Sequence, residues 1–136
     1  MKSINKNLFS LLTAGALSFF SLAASSAAAD LSAADKQFLG GYEKIHAALV
    51  ADNLDSAKQA AASLGVAGAE VGKSKTLDEA RNAFVKLGVT AVKLAAGQPG
   101  YYILHCPMVG KDWVQTSPVV ANPFGGKEMV GCGEVK

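Results

Sequence analysis

The chain has 136 residues, of which half are hydrophobic and 18% are charged, with 13 Lys and Arg against 11 Asp and Glu. Both surplus lysines, Lys2 and Lys6, lie in the first 29 residues, so the remaining 107 residues carry 11 basic and 11 acidic side chains. A balanced chain without a clustered basic face argues against a nucleic-acid partner. Its length is that of one domain with a modest core.

The first 29 residues have the pattern of a secretory signal peptide. Lys2 and Lys6 precede an apolar run over residues 8–22, and Ala27-Ala28-Ala29 supplies the small residues of a cleavage site. The apolar run is too short for a good transmembrane anchor, and no later segment is long and apolar enough to span a bilayer. We therefore expect residues 1–29 to be removed and residues 30–136 to form a single helical domain, periplasmic or secreted in a bacterium, without a stable membrane span.

Apolar periodicity predicts three helices between residues 32 and 96. The second should begin near Asn53 and end at Gly65, and the third should begin at a capping box formed by Thr76 and Glu79. The intervening residues 65–75 are predicted to be a loop. We therefore predict the mainly α class, with the three helices in an antiparallel bundle. The apolar faces of the first and third helices are the clearest, with members Ala34, Phe38, Tyr42, Ile45, Leu49 and Leu77, Ala80, Phe84, Leu87, Ala91, Leu94.

The segment 98–136 has a different character and is predicted to be a loop-rich cap with at most short strands. It contains all four prolines and the only tryptophan, and residues 101–104 form a short aromatic and branched run typical of a strand. Trp113 and Phe124 should anchor this tail on the helices. The turn signature at residues 122–126 should bring Met129 and Cys132 back toward Cys106.

After the signal peptide, every sulfur atom of the chain lies in two short clusters of this tail. Sulfur ligands suit Cu(I) and Ag(I), so a soft-metal site is the sharpest hypothesis. The alternative is a purely structural disulfide between Cys106 and Cys132, which is the usual state of an even number of cysteines in an oxidising compartment. Taken alone, Met108 and Met129 are each more typical of core packing than of metal binding, and only their places two and three residues from a cysteine favour the ligand role. The candidate metal ligands are His105, Cys106, Met108, Met129 and Cys132.

Other chemistries have little support in the sequence. There is no Cys-x-x-Cys pair for a redox centre or a zinc ribbon, and no Cys-x-x-Cys-His for covalent haem. His105 and Cys106 are neighbours on an extended chain and should point to opposite faces, which makes them a poor catalytic pair. His46 is predicted to be a helix-surface residue rather than a ligand. We therefore do not expect an enzyme.

The tail motif Cys-Pro-Met, a tryptophan, Asn-Pro-Phe-Gly, a methionine and Cys-Gly resembles that of a family of small exported bacterial domains of otherwise undefined function. The matching positions are 106–108, 113, 122–125, 129 and 132–133. Related domains occur alone or fused to periplasmic adaptor proteins of copper and silver efflux pumps. The resemblance implies an envelope protein of heavy-metal handling, with an efflux adaptor or another envelope protein as its partner.

Two functional hypotheses follow. The first is a periplasmic protein that binds Cu(I) or Ag(I) for sequestration or delivery. The second is a disulfide-stabilised interaction module without a metal, in which Tyr101, Trp113 and Phe124 are contact or core groups. Both require Cys106 and Cys132 to lie side by side, with Met108 and Met129 on the same side of the tail. An imidazole of His105 turned toward the sulfur atoms would favour metal, and one turned away would favour the disulfide.

Overall fold

A computed structural model describes residues 29–136. The predicted signal peptide, residues 1–29, lies outside these described residues apart from its last alanine. The helices are α1 (Ala33–Val50), α2 (Leu54–Ala62), α3 (Ala69–Lys73) and α4 (Leu77–Ala95), followed by strands β1 (Tyr102–Cys106) and β2 (Lys111–Gln115), a 3₁₀ turn (Lys127–Met129) and strand β3 (Glu134–Val135).

The predicted mainly α class with short strands in the tail is confirmed, but the three-helix bundle is not. The region 65–75 was predicted to be a loop, but it contains α3, a short helix additional to the three predicted, so that prediction is wrong. The tail strands form an antiparallel sheet of order β2-β1-β3. None of the helices within residues 29–136 combines the length and apolar character needed to cross a bilayer.

Side-chain caps fix where the long helices begin. The Asn53 side chain accepts a hydrogen bond from the Ser56 amide at 2.9 Å, which starts α2 at the predicted place. The Thr76 hydroxyl accepts from the Glu79 amide at 3.2 Å and starts α4. The Glu79 carboxylate, however, accepts from the amide of Lys75 at 2.7 Å, one residue earlier than in the expected capping box. Each cap satisfies amides that the first helical turn leaves without partners.

The sheet separates two hydrophobic clusters. The larger cluster lies among the helices, where the rings of Tyr42 and Phe84 stack with centroids 4.3 Å apart. The smaller cluster consists of Leu104, Cys106 and Trp113, all fully buried beneath the C-terminal segment. Strand alternation produces this division, because successive side chains of β1 point to opposite faces. The sheet thus carries the helical core on one face and the sulfur-containing cluster on the other.

Two glycines permit close contacts between helical segments. At Gly41, inside α1, an added Cβ would collide with the side chain of Leu64. At Gly68, just before α3, an added Cβ would collide with the backbone carbonyl of Ala61 at the end of α2. By contrast, a Cβ at Gly72 within α3 would meet nothing within 4 Å.

The first prediction uses this pair of glycines. Gly68→Ala should destabilise the domain by about 1–3 kcal/mol, because a backbone carbonyl cannot swing aside as a flexible side chain can. The matched variant Gly72→Ala should be neutral or stabilising by up to about 1 kcal/mol, since alanine is the better helix former. Urea denaturation followed by circular dichroism measures both. Equal stability of the two variants would contradict the close packing of α2 against the start of α3.

Candidate sulfur site and its supporting loop

The two cysteines form a disulfide bond. Cys106 is the last residue of β1 and Cys132 lies just before β3, and their Cα atoms are 5.8 Å apart. That separation is within the usual range for a disulfide. The Cys106 side chain is fully buried, whereas Cys132 is half-buried. The prediction that the two cysteines lie side by side is therefore confirmed.

Asn122 closes the loop that returns Cys132 to Cys106. Its side-chain amide donates a hydrogen bond to the Cys132 carbonyl at 2.9 Å, and its side-chain oxygen accepts one from the Phe124 amide at 2.8 Å. The backbone amide of Asn122 also donates to the Val130 carbonyl at 2.8 Å. The predicted turn at residues 122–126 thus acts through a buried asparagine that bonds to both sides of the loop.

The two methionines occupy different environments. Met129 is half-buried and packs against the cluster of Leu104, Cys106 and Trp113, to which Cys132 also belongs. Met108 lies in the turn between β1 and β2, with 77% of its surface exposed. The structure therefore gathers Cys106, Cys132 and Met129 at one apolar cluster and leaves the Met108 side chain in solvent.

His105 lies on the other face of the sheet. Its Nδ1 is 2.6 Å from a carboxylate oxygen of Asp112, its partner across the β1–β2 pair. The Lys136 ammonium donates to the second oxygen of Asp112 at 2.7 Å, and mainly this bond holds the pKa of Asp112 below its usual value. By the criterion set out above, an imidazole facing away from the sulfur atoms favours the disulfide.

His46 is buried, so its prediction as a surface residue is wrong. Only 4% of its surface is exposed, because the segment around Ala121 packs across this flank of α1. Its Nε2 lies 2.7 Å from the Ala121 carbonyl. Burial, outweighing the hydrogen bond to Ala121 and the nearby Glu43 carboxylate, lowers the pKa of His46 from its ordinary value of 6.5.

Two further residues that hold the tail were missed in the sequence. The Arg81 guanidinium donates to the Pro123 carbonyl at 2.9 Å and forms an ion pair with Asp52. The Gln115 side chain accepts from the Trp113 indole at 2.8 Å and donates to the carbonyls of Ser117 and Val119, each at 2.6 Å. The one available signal was the place of Arg81 in the apolar stripe of α4, four residues after Leu77.

Comparison of the chain with protein-family models, with curated proteins and with solved structures gives no match. Among the residues described, no three His, Cys, Asp or Glu side chains form a group that could hold a metal ion. Functional conclusions therefore rest on the geometry of the individual side chains.

The second prediction concerns His46 and pH. Because its pKa is lower in the folded chain than its ordinary value of 6.5, the unfolded chain binds more protons below pH 6.5. The free energy of unfolding should therefore fall as the pH drops from about 6.5 toward the lower folded-state pKa. Urea denaturation between pH 7.5 and 5, with a chelator present, measures this slope. A His46→Gln variant should lose this part of the pH dependence of the free energy of unfolding. His105→Gln, the matched histidine change, should retain it.

Proposed function

We propose that this protein is a non-enzymatic interaction domain of the bacterial envelope, stabilised by the Cys106–Cys132 disulfide. The observation that carries the proposal is the disulfide itself, which joins the end of β1 to the segment before β3. Persistent disulfides are a feature of exported proteins. The signal-peptide pattern and the resemblance of the tail to exported bacterial domains support the same compartment.

Exposed apolar side chains support docking through the tail. The exposed large hydrophobic residues within this segment are Met108, Val119, Val130 and Val135, with exposures of 77, 74, 37 and 48%. Trp113 is fully buried, and Phe124 packs edge-on against it with ring centroids 6.3 Å apart. Those two aromatic residues therefore serve as core groups, and we propose the four exposed residues as individual contacts for an efflux adaptor or another envelope protein.

The third prediction tests the disulfide as a structural element. Protein isolated from the periplasm without reductant should contain no free thiols when denatured, and reduction should lower its stability by about 3.5 kcal/mol, the chain-entropy value for a separation of 26 residues. Thiol titration and urea denaturation measure these quantities. Two free thiols per chain, or unchanged stability after reduction, would contradict the proposal. The Cys106→Ser/Cys132→Ser variant should behave as the reduced protein does.

A second candidate function is binding of Cu(I) or Ag(I) by the reduced cysteine pair. The packing of Met129 against the cluster that contains Cys106 and Cys132 favours it, since two thiolates and one thioether suit a soft monovalent ion. Met108 and His105 are not part of this cluster. Met108 is exposed at a turn, and His105 is bonded to Asp112. The ligand set we propose for this function is therefore Cys106, Cys132 and Met129.

The fourth prediction separates the two candidates. Under reducing conditions, the wild-type protein should compete with a chromophoric Cu(I) chelator, and the double serine variant should not. Met129→Leu should weaken competition, whereas the matched change Met108→Leu should leave it unaltered. If wild-type and double-serine proteins take Cu(I) equally weakly, metal binding at this site is wrong and the interaction domain remains.

A further inference from the structure

Glu43 and His46 lie one turn apart on α1, beside the tail segment that contains Ala121. A carbonyl oxygen can only accept a hydrogen bond, so the 2.7 Å contact with Ala121 requires the proton of a neutral His46 to be on Nε2. Nδ1 then carries a lone pair. This nitrogen lies 3.9 Å from a carboxylate oxygen of Glu43. Two acceptor atoms thus lie close together on one helix.

The spacing of these two acceptors suits a metal ion. Bonds from Zn²⁺ to an imidazole nitrogen and to a carboxylate oxygen are about 2.0–2.2 Å long, so a single ion can contact two atoms up to roughly 4.2 Å apart. An imidazole and a carboxylate are also ligands that Zn²⁺ and Cu²⁺ accept. The 3.9 Å separation therefore leaves room for one ion and needs only a small movement of the Glu43 side chain, which is 32% exposed.

The groups behind the two acceptors have the arrangement found around bound metals. A metal-binding histidine nearly always donates its other N–H to a carbonyl or carboxylate, which fixes the ring, as Ala121 does for His46. The Thr116 hydroxyl donates to the same Glu43 oxygen at 3.2 Å. Both candidate ligands line a cleft of about 370 Å³ between α1 and residues 115–121, which offers space for water to complete the coordination.

We propose that Glu43 and His46 form a binding site for one divalent transition-metal ion of the Zn²⁺ and Cu²⁺ class. The site uses no sulfur ligand, so it differs from the proposed Cu(I) site in its residues, in its metal and in its independence of the disulfide. Water from the cleft supplies the remaining ligands. Such a two-residue site holds its ion exchangeably, and its open positions can accept a ligand from a second molecule.

The test uses Cu²⁺ as the probe, with the disulfide intact and any affinity tag removed. Titration monitored by electron paramagnetic resonance should show one site per chain with nitrogen hyperfine structure from one imidazole. Glu43→Gln should raise the dissociation constant for Cu²⁺ by about tenfold or more, since changing even a group behind a metal ligand lowers metal affinity by roughly 10- to 100-fold. His46→Gln should abolish the nitrogen signal.

The other histidine provides the matched control. His105→Gln should retain the signal and the wild-type dissociation constant. A signal that survives in both Glu43→Gln and His46→Gln, or that disappears only in His105→Gln, overturns the site, as does the absence of Cu²⁺ binding in the wild type. If His46→Gln fails to fold because the bond to Ala121 is lost, Glu43→Gln decides the outcome alone, with its fold checked by circular dichroism. Failure of Cu(I) competition in the reduced protein leaves this result unaffected.

Discussion

The irregular backbone between β2 and β3 depends on buried polar side chains for its hydrogen bonds. Apart from one 3₁₀ turn, residues 116–132 have no regular ladder in which their amides and carbonyls could pair, yet unpaired buried backbone groups are costly. Four buried side chains bond to this segment, and no buried side-chain nitrogen or oxygen within residues 29–136 lacks a partner. The four are His46, Arg81, Gln115 and Asn122.

These four side chains and the disulfide stabilise the tail in different ways. His46 and Arg81 project from α1 and α4, so they fix the position of the tail on the helices, whereas Gln115 and Asn122 fix its own turns. Losing one such partner leaves a buried group unsatisfied at a cost of about 1–3 kcal/mol. The disulfide acts mainly by restricting the unfolded chain. Position is therefore set by hydrogen bonds, and the disulfide adds stability to a geometry that they define.

Structural features that depend on residues close together in the sequence are the ones that the sequence predicts. Apolar spacing and capping residues locate α1, α2 and α4, and the turn signature around Asn122 predicts the return of Cys132. Helix α3 was missed because three glycines within residues 65–75 suggested a loop, although Gly68 has a helical backbone conformation and allows close packing against Ala61. Burial of His46 could not be predicted, since its partner Ala121 lies 75 residues away.

Because Ala121 is so far from His46 in the sequence, the spacing of Glu43 and His46 could not be recognised there as a candidate metal site. A carboxylate three residues before a histidine is common on helix surfaces, and it becomes a candidate metal site only when a carbonyl fixes the proton on Nε2. Ala121 supplies that carbonyl, and the next residue, Asn122, bonds to the Cys132 carbonyl. Two consecutive residues thus contact the imidazole on one side and the disulfide loop on the other. The imidazole and the disulfide loop are therefore both hydrogen-bonded to the same short segment of the tail.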